Sequence, residues 1–415
     1  MSAPIRLPSG VRDFLPRAAA RRRALAERVL DVFDAWGYAR IITPVFECAD
    51  VLERGLGDGA RAAAIRFVEP GTGEVVALRP DITAQVARLV ATRLADHEEP
   101  VRLCYEGAVY RMGDEIGLGQ REILQAGIEL IDAPEPTGDA EVLAVAAAAL
   151  AAAELPDTRL DVGHVAPARH VLARCPDDDA RARLTGALAK KDRAGLRRVA
   201  AGLPAEVAAL AEALGGLWGP AQPTLARAAE LPWPADVREA IGTLAAALVA
   251  FGELVDPPAP PVSVDLGDVR GLPYYTGVRF AGYAAGAPDA VLRGGRYDDL
   301  IGRYGRAARA TGFAIDLEAL AQAQRVTGIA PPPARPGVAV FGAHAAELAR
   351  ALRARGLRAV TAHAPPTPAW IASAGLDAAV LVDSGELVAG DATRHAIGDV
   401  ESIVTLLQGG RSCPS

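Results

Sequence analysis

A chain of 415 residues, 51% apolar and 23% charged, is long enough for two or three domains with a substantial core and is unlike a disordered polymer. A formal net charge of −7, with Lys190 and Lys191 as the only lysines, disfavours a general nucleic-acid binder, because phosphate contacts need concentrated positive charge. Cys48, Cys104, Cys175 and Cys413 are too dispersed for a zinc knuckle or a disulfide framework and suit a reduced compartment.

The opening MSAPIRLPSGVRDFLP has prolines and charges where a signal peptide would carry an apolar run. Residues 17 to 36 predict a helix on the spacing of Leu25, Val29, Leu30, Val32 and Phe33, ended by Gly37. YARIITPVFE then reads as a strand interrupted by Pro44. AAIRFVEP and GEVVALRP flank Gly71-Thr72-Gly73 as a hairpin. A helix is expected from Thr83 to Asp96, followed by strand-like VRLCYEGAVYR and REILQAGIELI around a Gly-rich loop, and a helix from Asp139 to Leu155. Its apolar run from Val142 to Ala153 is too short to span a bilayer, which needs roughly 20 residues. A cytoplasmic protein without membrane contact is the expectation.

From about 165 to 250 Ala/Leu/Arg-rich segments predict a helical insertion, broken at Pro204 and around Gly215 to Pro223. Strand character returns at VSVDLGDVRGLPYYTGVRFAGY and LRGGRYDDLIGRYG, with a helix near 313 to 325. GIAPPPARPG, 328 to 337, reads as a linker. Beyond it, alternating strands and helices predict a small α/β domain over 338–415. The expected fold class is therefore α+β for residues 1–327, an antiparallel sheet core with helices and the helical insertion, plus the C-terminal α/β domain.

Four constellations carry polar chemistry. In Arg79-Pro80-Asp81-Ile82-Thr83 a carboxylate and a hydroxyl two residues apart suit an amine ligand, or Asp81 simply caps the next helix. If 121–131 is a strand, Arg121, Ile123, Gln125, Gly127 and Glu129 share one face, opposite the apolar Leu124, Ala126, Ile128 and Leu130. That polar face is either solvated or approached closely by a ligand at Gly127. Arg270-Gly271-Leu272-Pro273-Tyr274-Tyr275 can hold a carboxylate beside an aromatic wall, or form a turn whose tyrosines fill the core. Gly294-Gly295-Arg296-Tyr297-Asp298 reads as a turn more readily than as a phosphate loop. No Walker loop, GxGxxG or GxSxG motif is present, and the histidines complete no metal site.

In order, these segments resemble the class II aminoacyl-tRNA synthetase core, and within it histidyl-tRNA synthetase. Pro8 to Asp13 resembles that family's opening motif, and Gly37 through Pro44 with Glu47 its motif 1, a dimer-interface element. LRPDIT resembles LRPEGT; Arg111 with Gln125 and Glu129 occupies the place of motif 2. RGLPYYTG and GGRYD resemble the two histidine-specific signatures, and GFAIDLEAL stands where motif 3 belongs. The resemblance implies a histidine site. Asp81 and Glu129 would meet the ligand amine or imidazole, and Thr83 and Gln125 would hydrogen-bond the amino acid. Arg111 and Arg270 would lie near its carboxylate, with Tyr274 and Tyr275 lining the side-chain pocket.

The departures concentrate on the nucleotide half. Motif 3 carries Asp316, Leu317, Glu318 and Ala319 where GxER is expected, so its arginine is gone. Gly113 and Gly119 stand where motif 2 and its loop supply a glutamate and an arginine. Losing one such charge clamp costs roughly 3 kcal/mol of transition-state stabilisation, so no catalytic residue, metal or cofactor is expected. Asp81 for glutamate and Pro273 for aspartate also depart from the synthetases, and both agree with the related ATP phosphoribosyltransferase regulatory subunits. GRYDDLIGRYGRAARATGFAIDLEAL matches that family's pattern too. The resemblance then implies a non-catalytic subunit that binds the short-form catalytic subunit, in a hetero-octamer by the family pattern. It would self-associate through the synthetase-like dimer interface, activate its partner and mediate feedback inhibition by histidine. The tail domain, without lysine, is a poor anticodon-binding surface, so no tRNA is expected. The rivals are an active histidyl-tRNA synthetase and a synthetase-like sensing module without this partner.

Overall fold

Helix α1 (Pro16–Ala35) comes early in a computed structural model that describes residues 6–94, 96, 100–112, 120–331 and 335–409. Proline fits its first turn, where that N–H has no intrahelical partner. Leu25, Val29 and Phe33 recur at four-residue steps and are fully buried. Gly37, at φ +79°, turns the chain into β1 (Ala39–Arg40). Pro44, with no N–H to donate, lies in the break before β2 (Phe46–Cys48), which belongs to a separate small sheet. After α2 (Ala49–Gly55) and α3 (Asp58–Ala63), the expected hairpin forms as β3 (Arg66–Val68) and β4 (Val75–Leu78), giving the order β2–β4–β3.

Helix α4 (Thr83–Arg93) leads to β5 (Val101–Tyr110) and β6 (Glu122–Ile131), then α5 (Thr137–Ala152) and β7 (Arg159–His164). Residues 165–254 hold helices α6 (Val165–Leu172), α7 (Asp178–Ala189), α8 (Arg193–Ala200) and α9 (Ala205–Leu214). The short β8 (Trp218–Pro220), α10 (Ala221–Ala229) and α11 (Ala235–Leu254) follow. Strands β9 (Val262–Asp265), β10 (Val278–Tyr283), β11 (Leu292–Arg296) and β12 (Ala310–Asp316) precede α12 (Leu317–Val326).

Nine strands join in the order β1-β5-β6-β12-β11-β10-β7-β9-β8. The run from β5 to β7 is antiparallel throughout, while β1 pairs with β5, and β7 with β9, in parallel. Even-numbered residues of β6 (Ala126, Ile128, Leu130) face a core built with α1 and α5. There Phe313 meets Phe33 edge-on, with ring centroids 5.8 Å apart. Helix α5 is apolar all round because both sides are covered, by the sheet and by α1 and α11. The other sheet face carries the odd-numbered residues of β5 and β6 against Ile82 and Val86 of the α4 region. That face holds the site.

Two local expectations fail. Residues 310–316 are strand, and the helix begins only at Leu317, where the Asp316 carboxylate accepts from the N–H groups of Glu318 and Ala319 at 2.9 Å each. A short apolar run such as TGFAI fits either period. Gly294 and Gly295 lie within β11 rather than a turn. A Cβ on Gly294 would sit 2.5 Å from the Gly312 carbonyl oxygen and from Phe280 Cζ, so the sheet requires glycine there. On the core side Arg296 is fully buried, held by Asp139 (3.1 Å), Glu135 (3.1 Å) and Asp298 (3.2 Å).

The chain divides into two compact units after Pro331. In the second, β13 (Gly337–Phe341), α13 (Ala345–Ala354), β14 (Arg358–Thr361), α14 (Pro368–Ser373) and β15 (Ala378–Leu381) form the expected alternation. Antiparallel β16 (Glu386–Ala389) and β17 (Arg394–Ala396) extend its sheet to the order β14-β13-β15-β16-β17, and α15 (Val400–Gly409) follows. No described helix is long and apolar enough to cross a membrane. Gly113, Gly119, Cys413 and linker positions 332–334 lie outside the described residues.

Candidate functional site

The site starts from the alternation of β6. Its odd-numbered residues put Gln125 and Glu129 on one face with Gly127 between them. Neither side chain is solvated: Gln125 is 8% exposed and Glu129 1%. The register continues this face across the sheet. Gln125 pairs with Asp316, Gly127 with Ala314 and Glu129 with Gly312 on β12. Ala314 in turn pairs with Arg293, and Gly312 with Gly295, on β11. Gly127 and Gly312 make room on this face for the side chains of neighbouring residues. A Cβ on Gly127 would lie 2.5 Å from Tyr105 Oη, and one on Gly312 would collide with Glu129 Oε2.

Above this floor is a cavity with about 320 Å³ of free space, lined by Asp81, Thr83, Arg111, Gln125, Tyr274 and Tyr275 among others. Its size falls at the lower end of the roughly 300–1,000 Å³ typical of small-molecule pockets. Six of the eight expected site residues therefore line one space. Asp81 Oδ1 accepts from the Thr83 N–H at 2.7 Å at the start of α4, and the residue also lines the cavity. Tyr274 and Tyr275 follow a turn in which both their N–H groups donate to the Gly271 carbonyl (2.9 and 3.1 Å). Arg169 of α6 donates to the carbonyls of Leu272 and Tyr275, fixing that turn from behind.

Glu129 sits beneath the lining. Tyr105 Oη donates to its Oε1 at 3.4 Å, and Tyr105 Oη lies 3.5 Å from Thr83 Oγ1. Its Oε2 is buried without a hydrogen-bond partner, as are Gln125 Oε1 and Tyr297 Oη. Among the described residues no cation lies within ion-pair distance of Glu129. Burial above all, and the nearby Asp81 charge, push its carboxyl well above the usual range. Burial likewise raises the Tyr274 phenol, with Asp81 and Glu129 adding to the effect, and pushes Tyr275 up to about 12. Unpaired buried acceptors cost roughly 1–3 kcal/mol each. With Gln125 and Tyr297 on the cavity wall and Glu129 just beneath it, these groups fit a ligand that brings N–H donors and positive charge.

Arg270 differs from expectation. It is absent from the cavity lining; its guanidinium is clamped to Asp268 (Nη2–Oδ2, 2.7 Å) and reaches Tyr283 Oη at 3.3 Å. Asp268 also pairs with the buried Arg279. The arginine that does line the cavity from β11 is Arg293, with Tyr297 beside it. Tyr297 belongs to the GGRYD signature singled out above, whereas Arg293 escapes notice in the linear chain because only the β12–β11 register brings it to β6; its place two before Gly295 on the strand was the available signal.

Arg111 is anchored through Nε to the Pro80 carbonyl (2.8 Å) and lines the cavity. Asp316 lines it too; burial raises its carboxyl, and the N–H groups of Ala319 and Glu318, which it accepts from, oppose that rise. Glu318 pairs with Arg12 and, at 2.8 Å, with Arg22. At 319 a half-buried alanine stands. Among the described residues no group of His, Cys, Asp and Glu has the arrangement of a metal site.

Comparison with known proteins agrees with this fold. The family model for histidyl-tRNA synthetase matches residues 10–320. An ATP phosphoribosyltransferase regulatory subunit from Anaeromyxobacter dehalogenans (strain 2CP-1) is 45% identical over 327 residues, 78% of this chain and 92% of that protein. The chain belongs to the ATP phosphoribosyltransferase regulatory subunits. A regulatory subunit from Geobacter sulfurreducens is 38% identical over 326 residues, 76% of this chain and 72% of the relative. Among solved structures, a Bacillus halodurans protein described as an ATP phosphoribosyltransferase regulatory subunit/histidyl-tRNA synthetase superposes with a TM-score of 0.78. It is 27% identical and covers 90% of this chain and 97% of its own. Histidyl-tRNA synthetase from Nostoc sp. PCC 7120 has a TM-score of 0.79 at 20% identity over 98% of this chain and 99% of its own. That second likeness shows the fold alone. The regulatory subunits thus carry the class II synthetase architecture that the ordered motifs implied.

Proposed function

We propose that the chain is a non-catalytic subunit that binds the short-form catalytic subunit of ATP phosphoribosyltransferase, activates it, and carries the histidine site through which histidine biosynthesis is inhibited. The observation that carries the effector half is the set of buried, partnerless acceptors on Glu129 and Gln125 around a cavity that also presents Asp81, Thr83 and Arg111. Histidine supplies an ammonium, an imidazole N–H and a carboxylate, and a buried zwitterion needs each of them paired. Adenylation is disfavoured on electrostatic grounds. Asp316 faces the cavity where a triphosphate would need positive charge, and Ala319 has no guanidinium to offer.

The regulatory step is an affinity difference: histidine must bind one conformation of the complex better than another, with a coupling of typically about 1–3 kcal/mol. Self-association falls to the motif 1 region, where Ile42, Val45 and Phe46 leave large apolar side chains exposed, with Phe67 and Val68 likewise exposed on β3 of the same small sheet as β2. A hetero-octamer with the catalytic subunit, free of tRNA and in the cytoplasm, completes the reading. Isothermal titration of the purified chain with histidine and a histidine-dependent pyrophosphate exchange assay test it together. The expected outcome is saturable binding without exchange. Exchange above background would identify a working synthetase and overturn the proposal, as would a failure of histidine to bind the chain.

A further inference from the structure

We infer that Arg293, and not Arg270, is the cation that receives the carboxylate of the amino-acid ligand; this rests on the histidine site proposed above. The cavity lining offers two guanidinium groups, Arg111 and Arg293. Arg111 is tied through Nε to the Pro80 carbonyl and shares the lining with the Asp316 carboxylate. Arg270 is held outside the cavity by Asp268 and Tyr283. That leaves Arg293 as the lining cation whose ion-pair partner, Asp289, is half exposed.

Its placement suits the task. Tyr105, Gly127, Ala314 and Arg293 form one cross-strand row on the site face. The two smallest members lie between the tyrosine that touches Glu129 and the arginine at the opposite rim. An amino acid in the cavity would turn its donor groups towards Glu129 and Asp81 and its carboxylate towards Ala314, which lines the cavity within the span of the long Arg293 side chain. The present partner of Arg293 is exchangeable. Asp289, four residues earlier, accepts from Nη2 at 2.5 Å, and Nη1 donates to the Ala290 carbonyl at 3.1 Å, with both charged side chains about half exposed. Such an exposed pair contributes little, whereas a bidentate guanidinium–carboxylate contact inside a cavity is geometrically specific and strong. Ligands lacking the carboxylate are therefore discriminated against at Arg293, while the amine and imidazole are read elsewhere.

The test is a thermodynamic cycle by isothermal titration of the full chain with L-histidine and with L-histidinol, in which a hydroxymethyl group replaces the carboxylate. Wild type should bind histidinol about 10–100-fold more weakly than histidine. Arg293→Met should lose a similar factor for histidine yet bind histidinol within about twofold of wild type, and Arg293→Lys should recover part of the loss. Arg270→Met should leave both ligands within about twofold. Wild-type affinity for histidine in Arg293→Met, or an equal loss for the two ligands, would overturn the assignment while leaving the histidine site standing. Absence of histidine binding to wild type would instead remove the site itself, and the assignment with it.

Discussion

Replacing Glu129 by glutamine should make the protein more stable and its site blind. Glu129 is 1% exposed, its Oε2 has no partner, and its carboxyl titrates well above the usual range because burial disfavours the anion. Glutamine keeps the shape and an acceptor for Tyr105 but carries no charge to desolvate. A buried polar group left unsatisfied costs roughly 1–3 kcal/mol, more when charged. At about 2 °C per kcal/mol for a unit of this size, Glu129→Gln should raise the melting temperature by roughly 2–6 °C. The sign with pH follows from linkage. A carboxyl whose folded pKa lies above its unfolded value binds more protons in the native state, so wild type loses stability as pH rises beyond the unfolded value near 4.5. The advantage of the variant should be small at about pH 5 and larger at about pH 8. Thermal melts at both pH values, with histidine titration beside them, read this out; histidine affinity should fall at least about tenfold. A variant less stable than wild type at the higher pH, or one that binds histidine normally, would refute the argument.

Gly312→Val would drive a side chain into Glu129 Oε2 and the Ile128 carbonyl; chemical unfolding should show a loss of about 1–3 kcal/mol, and titration should show no histidine binding. Arg296→Met strips the partner from the buried Asp139, whose carboxyl burial already pushes up to about 6. Urea unfolding should register roughly 3–5 kcal/mol of destabilisation, and a loss under about 1 kcal/mol would contradict the pairing. Asp268→Asn frees Arg270 and Arg279. Burial pushes the Asp268 carboxyl up, but the two guanidinium groups pull it well below its ordinary range. Wild type should therefore be more stable than the variant at neutral pH, and that margin should disappear as pH falls below about 4; a margin unchanged in acid would contradict the ion-pair origin.

Much of the scaffold was legible in the linear chain because its signals are local. The four-residue recurrence of Leu25, Val29 and Phe33 marks α1, and glycines 71 and 73 between two β-prone runs mark the β3–β4 hairpin. The alternation in β6 separated Ala126, Ile128 and Leu130, which build the core, from Gln125 and Glu129, which lie on the site face of the sheet. What stayed hidden is non-local or competes with a neighbour. The order of the nine strands brings β11 and β12 beside β6 across more than 150 intervening residues. Arg270 followed its motif in the sequence, yet Asp268, two residues away, captures it. Arg293 acquires meaning only through register. TGFAI satisfied both periods, and the tertiary pairing with β6 and β11 decided for strand.

The central claim, that this chain regulates rather than catalyses, is tested most directly by measuring phosphoribosyltransferase activity of the short-form catalytic subunit at increasing ratios of the purified chain, with and without histidine. Activity should rise to a plateau as the chain is added and fall again when histidine is present. Activity that is indifferent to the chain would contradict the account.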